Sequence, residues 1–373
     1  MSTTEPRILF ILHLPPPVHG AAMVGQYIKE SELINSEFDC HYINLAMAAS
    51  IEDVGHFRIG KFFDLGRLLK KIRSKVKMVS PSLVYMTPNA KGAAFFKEFL
   101  IVMMLKWMGC RVIIHYHNKG VKTVQDQWLY HQLYKRFFRN LKVILLAECL
   151  YDDIKKYVSR NDVYICPNGI EEATTETSLS VQPVPQLLFL SNLIKTKGVL
   201  DLLTACKILK NQGVSFKCTF IGAESAEITA ESFHKEIEDN GLQECVEYAG
   251  PKFGADKEAF YNQSDVFVFP TFYPNECFPL VLLEAMQHGL PCVATDEGAI
   301  ADIIDDGKTG YVVTKKQPTA LAEKLEILIK DAELRKNMGL AGRHKYEMYY
   351  TLTTFEKRMA EILHNIMKAQ NNT

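Results

Sequence analysis

An α/β architecture of two doubly wound parallel-sheet domains is predicted by three observations. Short continuous apolar runs alternate with helix-length segments, the alternation occurs in two successive series, and a stretch of linker composition separates the two. An apolar run without polar alternation suits a parallel strand covered on both faces by crossover helices. The chain has 373 residues, more than a single core usually holds, so two domains are expected.

The first series opens with residues 7–13, followed by a Pro/Gly turn and a helical pattern from Ala21, the order of a βα unit. Further runs follow at 83–86, 112–117, 143–146 and 163–165. Residues 167–185 are rich in Thr, Ser, Glu and Pro with little periodicity, which is linker composition. The second series runs through 186–191, 217–221, 246–248, 266–269, 291–294 and 310–313. At the end, Phe355, Met359, Ile362 and Ile366 recur at helical spacing within 353–368. The expected division is therefore 1–166, a linker at 167–185, 186–350, and a closing helical segment at 351–373 that packs back on the first domain. Two such domains facing each other would leave an interdomain cleft at the carboxyl ends of their strands, where ligands of this architecture bind.

Composition narrows the function. With 47% hydrophobic and 23% charged residues the chain is expected to be globular, not disordered. The formal net charge is zero, but residues 1–165 carry 23 Lys and Arg against 14 Asp and Glu, and the remainder 20 against 29. Such a split points either to an anionic partner for the basic half, a membrane surface or a phosphorylated substrate, or to charge balance between packed domains. Nine scattered cysteines without a C-x-x-C pair read as reduced residues of a cytosolic protein. The polar start carries no signal peptide, and the most apolar stretch, 93–109, is broken by Lys97, Glu98 and Lys106. A cytoplasmic protein without a membrane span is expected. There is no D-x-D motif and no His/Cys cluster at ligand spacing, so no metal is expected. The first strand is not followed by G-x-G-x-x-G, which disfavours an NAD enzyme.

Chemistry concentrates in residues 269–295, where a strand ends at Pro270, a loop carries Glu276, and a helix starts near Pro279. The backbone N–H groups of Leu280, Val281 and Leu282 are then expected to be free, and with the positive end of the helix dipole they would make a diphosphate site. Glu284 lies about one turn into that helix, so two carboxylates, each suited to sugar hydroxyls, could flank a bound nucleotide sugar. Alone, Glu284 also reads as a favourable early-helix acid and Glu276 as a solvated loop residue.

The spacing Glu276-(x7)-Glu284, followed by Ala285, Met286, Gly289, Pro291 and a strand, resembles glycosyltransferase family 4, a retaining, group 1 glycosyltransferase-like family. Residues 295–299 and 306–313 resemble the family's continuation, so the likeness covers the C-terminal half. It implies the GT-B fold of two Rossmann-like domains, with an N-terminal acceptor domain and a C-terminal donor domain. It also implies transfer of a sugar from a nucleotide diphosphate donor to a glycan or lipid-linked acceptor, in cell-surface polysaccharide synthesis. By the same resemblance Glu276 touches the transferred sugar, Glu284 holds the ribose, and Cys277, Phe278, Leu280 and Val281 lie along the donor. The family usually has glycines where this chain has Cys277 and Pro279.

Residues 190–198 resemble the family's phosphate-binding turn. Lys197 matches its lysine, while Asn192 stands where an arginine is common. Gly20 resembles the glycine near the donor diphosphate and acceptor, and glycine permits close backbone approach. His115 and His117 share a strand face by alternation. His117 resembles the histidine placed near the donor sugar, able to bond a hydroxyl or the reacting centre, and His115 reads as a sheet histidine. The implied catalytic set is His117, Glu276 and Lys197, without a side-chain nucleophile and without metal or cofactor. A nucleotide-sugar epimerase on the same fold and a noncatalytic nucleotide-sugar binding protein are the competing readings. Nucleic acid is not an expected partner. Finally, residues 62–77 interleave apolar residues with Arg67, Lys70, Lys71, Arg73, Lys75 and Lys77. This basic amphipathic helix is expected to lie on anionic lipid at the inner face of the cell membrane.

Overall fold

The computed structural model describes residues 5–16, 20–45, 60–173 and 183–368, excepting the side chains of 60–62. Residues 17–19 of the first turn, 174–182 of the expected linker and 369–373 of the closing segment lie outside this set. The chain divides into two units, Met1–Gly169 with Leu352–Thr373, and Ile170–Thr351.

In the first unit β1 (Arg7–Leu12), β2 (Asp39–Asn44), β3 (Leu83–Met86), β4 (Val112–His115), β5 (Lys142–Leu145) and β6 (Val163–Ile165) form one sheet. The order is β2-β1-β3-β4-β5-β6, and every pairing is parallel. In the second, β7 (Gln186–Leu190), β8 (Lys217–Ile221), β9 (Val246–Tyr248), β10 (Val266–Phe269), β11 (Cys292–Thr295) and β12 (Gly310–Val313) are ordered β12-β11-β10-β7-β8-β9, again all parallel. Central strands such as β3 and β10 are buried at every residue, as their unbroken apolar runs require. The sequence runs did not include β2. Its residues Asp-Cys-His-Tyr-Ile-Asn lie at the sheet edge and only Ile43 is fully buried, so no continuous apolar run marks it.

In each sheet the strand order reverses once, between β1 and β3 and between β7 and β10. At such a point neighbouring loops diverge to opposite faces and leave a crevice beyond the strand ends. The second reversal positions the chemistry described below.

Helix Leu352–Lys368 belongs to the first unit. It buries Phe355, Met359, Ala360, Ile362, Leu363 and Ile366 along one stripe, and its His364 Nε2 lies 2.7 Å from Glu37 Oε2. Helix Gly60–Val79 corrects the lipid-facing amphipathic expectation. Its apolar stripe, Leu68, Ile72, Val76 and Val79, is no more than 8% exposed, because the unit's own core uses it. Its outward face carries Arg67, Lys70, Lys71, Arg73 and Lys77, with Phe63 and Met78 also exposed. Among the described residues no helix is long and apolar enough to cross a membrane.

Candidate functional site

The loops after β7 and β10 meet at the reversal point of the second unit. After β7 the chain makes a single tight turn, Lys195–Lys197, and closes it with Gly198 at φ 81° before helix Val199–Asn211. A Cβ at Gly198 would lie 2.1 Å from the carbonyl oxygen of Pro270, so only glycine allows both the left-handed backbone and this contact. The Phe272 N–H donates to Thr196 O at 2.8 Å and the Thr271 hydroxyl to the same oxygen at 3.4 Å. These bonds hold the turn against the β10 loop.

Lys197 and Glu276 are brought together by that clasp. Lys197 Nζ lies 2.6 Å from Glu276 Oε2, with side chains 16% and 11% exposed. The ammonium also sits 4.8 Å from the Tyr273 ring centre and 5.4 Å from that of Phe269, within reach of their negative faces. From the other side the loop after β11 closes on the Glu276 segment. Gly298, at φ 60°, lies where a Cβ would be 2.5 Å from Glu276 O, and the Ala299 N–H donates to Cys277 O at 2.8 Å.

Helix Leu280–Gln287 follows, with Pro279 as its N-cap residue. Of the three N–H groups expected to be free, Leu282 is a correction, because it donates to Pro279 O at 3.2 Å in a tightened first turn. Leu280 and Val281 lie at positions that have no carbonyl within the helix to bond, and both are partly exposed. An anion there would meet two donors and the helix dipole. Cys277 and Phe278 are buried, Phe278 against the Tyr350 ring, so any contact they make with a ligand is through backbone. Asn192 is exposed in the loop after β7.

Glu284 is held from a helix that sequence reading did not single out. Its Oε1 accepts from Lys257 Nζ at 2.8 Å and its Oε2 from the Tyr261 hydroxyl at 2.9 Å. Both partners lie on helix Gly254–Gln263, just before β10. No motif spacing marks them, since the pairing arises only when that helix packs beside the one bearing Glu284. Tyr273 lies within residues 269–295, but its place beside Lys197 depends on the same clasp.

The first unit has its own polar cluster at the carboxyl ends of β1, β3 and β4. His115 is fully buried, its Nδ1 is hydrogen-bonded to the Tyr85 hydroxyl, and it is pushed well below the usual histidine range by burial and then by His117. It stays neutral. His117 lies past the end of β4, partly exposed, its ring centre 4.1 Å from that of His115, consistent with the shared face read from alternation. Gly20 opens helix Gly20–Glu30, and a Cβ there would meet nothing within 4 Å, so the unit's own packing does not demand glycine. Gly25, which was not singled out, is demanded: a Cβ would lie 2.1 Å from His13 O. Nearby, the fully buried Glu98 accepts from the Asn89 backbone N–H at 2.5 Å and faces His13 Nε2 at 3.9 Å. Burial raises its pKa above the usual carboxylate value. Among the described residues no three His, Cys, Asp or Glu side chains are grouped to hold a metal ion.

The family model for glycosyl transferases group 1 matches residues 170–345. A capsular polysaccharide biosynthesis glycosyltransferase of Staphylococcus aureus is 29% identical over 181 residues, 48% of this chain and 46% of that protein. The chain spans less than half the length of the curated relatives it matches. Among solved structures, sucrose-phosphate synthase of Thermosynechococcus elongatus superposes with a TM-score of 0.75 at 17% identity, over 98% of this chain and all of that one. Anabaena HepE in complex with UDP gives 0.73 at 15% identity, over 96% and 100%. The fold is therefore GT-B, built of two parallel-sheet α/β domains, and the second unit belongs to the glycosyl transferases of group 1.

Proposed function

We propose that the chain is a retaining glycosyltransferase of family 4 type, taking a sugar from a nucleotide diphosphate donor bound by the second unit. The observation that carries this reading is the clasped Lys197–Glu276 pair beside the N-terminus of helix Leu280–Gln287. It places a cation, two backbone donors and a carboxylate around one loop, a set that suits a diphosphate joined to a sugar. Glu284 is assigned to the ribose, and Glu276 to the hydroxyls of the transferred sugar. The acceptor, a glycan or lipid-linked saccharide, is assigned to the first unit, with Gly20 as a candidate near the donor diphosphate and acceptor and His117 as a candidate for a hydroxyl of the donor sugar or the reacting centre. Relatives with printed roles in capsular and colanic acid biosynthesis support a polysaccharide product, and HepE with UDP supports a nucleotide donor.

In the reaction we propose, the bond between the sugar's anomeric carbon and the diphosphate oxygen breaks while the acceptor oxygen bonds that carbon on the same face. The acceptor's proton passes to the departing diphosphate. Lys197 and the helix N-terminus stabilise the charge that develops on that group, so no metal is required.

A panel of nucleotide sugars screened by thermal shift identifies the donor, since a ligand at about 100 times its dissociation constant adds about 2.7 kcal/mol. With that donor, release of nucleoside diphosphate is expected to rise on adding a saccharide acceptor, to persist in EDTA, and to yield a product with the donor's anomeric configuration. Conversion of the donor to its epimer without acceptor would establish the epimerase reading instead. Binding without turnover across an acceptor panel would leave a binding protein.

Peripheral attachment to an anionic membrane is proposed to be electrostatic, because the apolar stripe of helix Gly60–Val79 is spent on the core. Arg73 stacks over Trp107 at 5.7 Å, and that indole is 76% exposed beside the outward cations. The protein is expected to float with anionic vesicles at low salt and to be released as salt shortens the screening length. Failure to float, or equal flotation after Lys70→Glu, Lys71→Glu and Arg73→Glu are combined, refutes the attachment.

A further inference from the structure

We infer that Lys257 and Tyr261 are positioning residues that fix the Glu284 carboxylate to receive the two hydroxyls of a ribose, making the second unit selective for ribonucleotides over deoxyribonucleotides. The inference rests on the proposed reading of Glu284 as a ribose ligand and assigns to two further residues the selectivity of that contact.

A free carboxylate on a surface helix rotates about its last torsion and offers its oxygens in no fixed direction. Glu284 is not free in this sense. Lys257 Nζ takes Oε1 at 2.8 Å and the Tyr261 hydroxyl takes Oε2 at 2.9 Å. The two donors stand one turn apart on helix Gly254–Gln263, so they reach the two oxygens from one rigid base. An ionised carboxylate has roughly four acceptor positions. With one per oxygen occupied, one per oxygen remains, and the Glu284 side chain keeps 20% of its surface open. Two acceptors side by side complement the adjacent hydroxyls of a ribose. A 2′-deoxyribose offers only one.

The base of this arrangement is rigid. Tyr261 is 1% exposed, stacked on His288 with ring centres 5.0 Å apart at 17°, and packed against Phe267 at 5.8 Å. His288 Nδ1 is itself 2.7 Å from the Glu284 carbonyl oxygen. Burial, followed by the charge of Glu284, holds the Tyr261 hydroxyl well above its usual pKa, so it remains a donor. Lys257, with 28% of its side chain exposed, balances the Glu284 charge without sealing it from solvent. A merely structural tie between the two helices would need the same contacts but would be indifferent to the sugar of a bound nucleotide.

The test titrates the full chain with UDP, GDP and ADP, then compares the tightest of these with its 2′-deoxy form. Wild type is expected to favour the ribonucleotide by about tenfold, the worth of one charge-assisted hydrogen bond. Lys257→Met and Tyr261→Phe should each weaken the ribonucleotide and leave the deoxynucleotide within about twofold, shrinking the preference. Glu284→Ala should abolish it. If both variants fold, by thermal melting, and keep the wild-type preference, Lys257 and Tyr261 are structural and the inference falls while the reading of Glu284 stands. If Glu284→Ala keeps the preference, or none of the three nucleotides binds, the reading of Glu284 falls and takes the inference with it. Should Tyr261→Phe fail to fold, the partly exposed Lys257→Met decides alone.

Discussion

Replacing Lys197 with alanine is expected to lower nucleoside diphosphate affinity by about 10- to 150-fold, the loss of one charge-assisted contact of roughly 1.5–3 kcal/mol. The upper part of that range is favoured by two features of the site. Asn192 stands exposed in the same loop where a second cation would otherwise share the load. In addition, removing the ammonium leaves the mostly buried Glu276 carboxylate, 2.6 Å away in the native pair, as an uncompensated anion facing the same diphosphate. That orphaned charge also costs folding stability, so Lys197→Ala should melt below wild type. The double variant Lys197→Ala with Glu276→Gln separates the two effects: it should regain melting temperature and the part of the affinity lost to the orphaned charge, but not the part lost with the ammonium contact. Calorimetric titration of the cognate nucleoside diphosphate gives the answer, and affinity within about twofold of wild type would remove Lys197 from the site.

The fold was legible because parallel strands buried on both faces write themselves as uninterrupted apolar runs. The runs at 83–86, 163–165, 217–221, 246–248, 266–269 and 310–313 coincide with strands. Edge strand β2 is not marked because Asp39, His41 and Asn44 interrupt its apolar residues, and only Ile43 is fully buried. Strand ends were less legible than strand cores. The apolar run at 112–117 continues two residues past β4, since Tyr116 is buried without being part of the strand. The site divided along similar lines. Glu276, Glu284 and Lys197 were found because a motif lies on contiguous sequence, but what holds each of them was not. The Lys197–Glu276 contact joins residues 79 apart in the chain, and it exists because strand order puts β7 beside β10. Lys257 and Tyr261 reach Glu284 through helix packing that no spacing encodes. Leu282 was misjudged for a local reason: a helix capped by proline tightened its first turn and consumed one of the donors counted as free. Helix Gly60–Val79 shows a further limit. A basic amphipathic pattern reads the same whether its apolar stripe meets lipid or its own protein core, and here Leu68, Ile72, Val76 and Val79 meet the core.

The two glutamates should fail differently when each is removed. Glu284→Ala is expected to weaken both the intact donor and the free nucleoside diphosphate by about 10- to 150-fold, since both carry the ribose assigned to it. Glu276→Ala is expected to spare the diphosphate and to weaken only ligands that carry the sugar. The geometry sharpens this second expectation. Glu276 Oε2 lies 2.6 Å from Lys197 Nζ, so the carboxylate competes with a diphosphate for the same ammonium and repels it as a like charge. Deleting Glu276 frees Lys197, and diphosphate affinity should hold or rise. Its damage belongs to the sugar: kcat/KM for the cognate donor should fall by about 10- to 150-fold, with the loss in kcat if the contact strengthens as the glycosidic bond breaks. Because Glu276→Ala also leaves Lys197 without its partner, Glu276→Gln, which keeps the side chain's shape and one acceptor oxygen, provides the folded comparison. Thermal melting of both variants precedes titration. If a folded Glu276 variant loses diphosphate affinity as fully as Glu284→Ala does, the division of sugar from ribose is wrong. The ammonium of Lys197 would then depend on Glu276 for its position, and the pair would have to be read as a single diphosphate-binding unit.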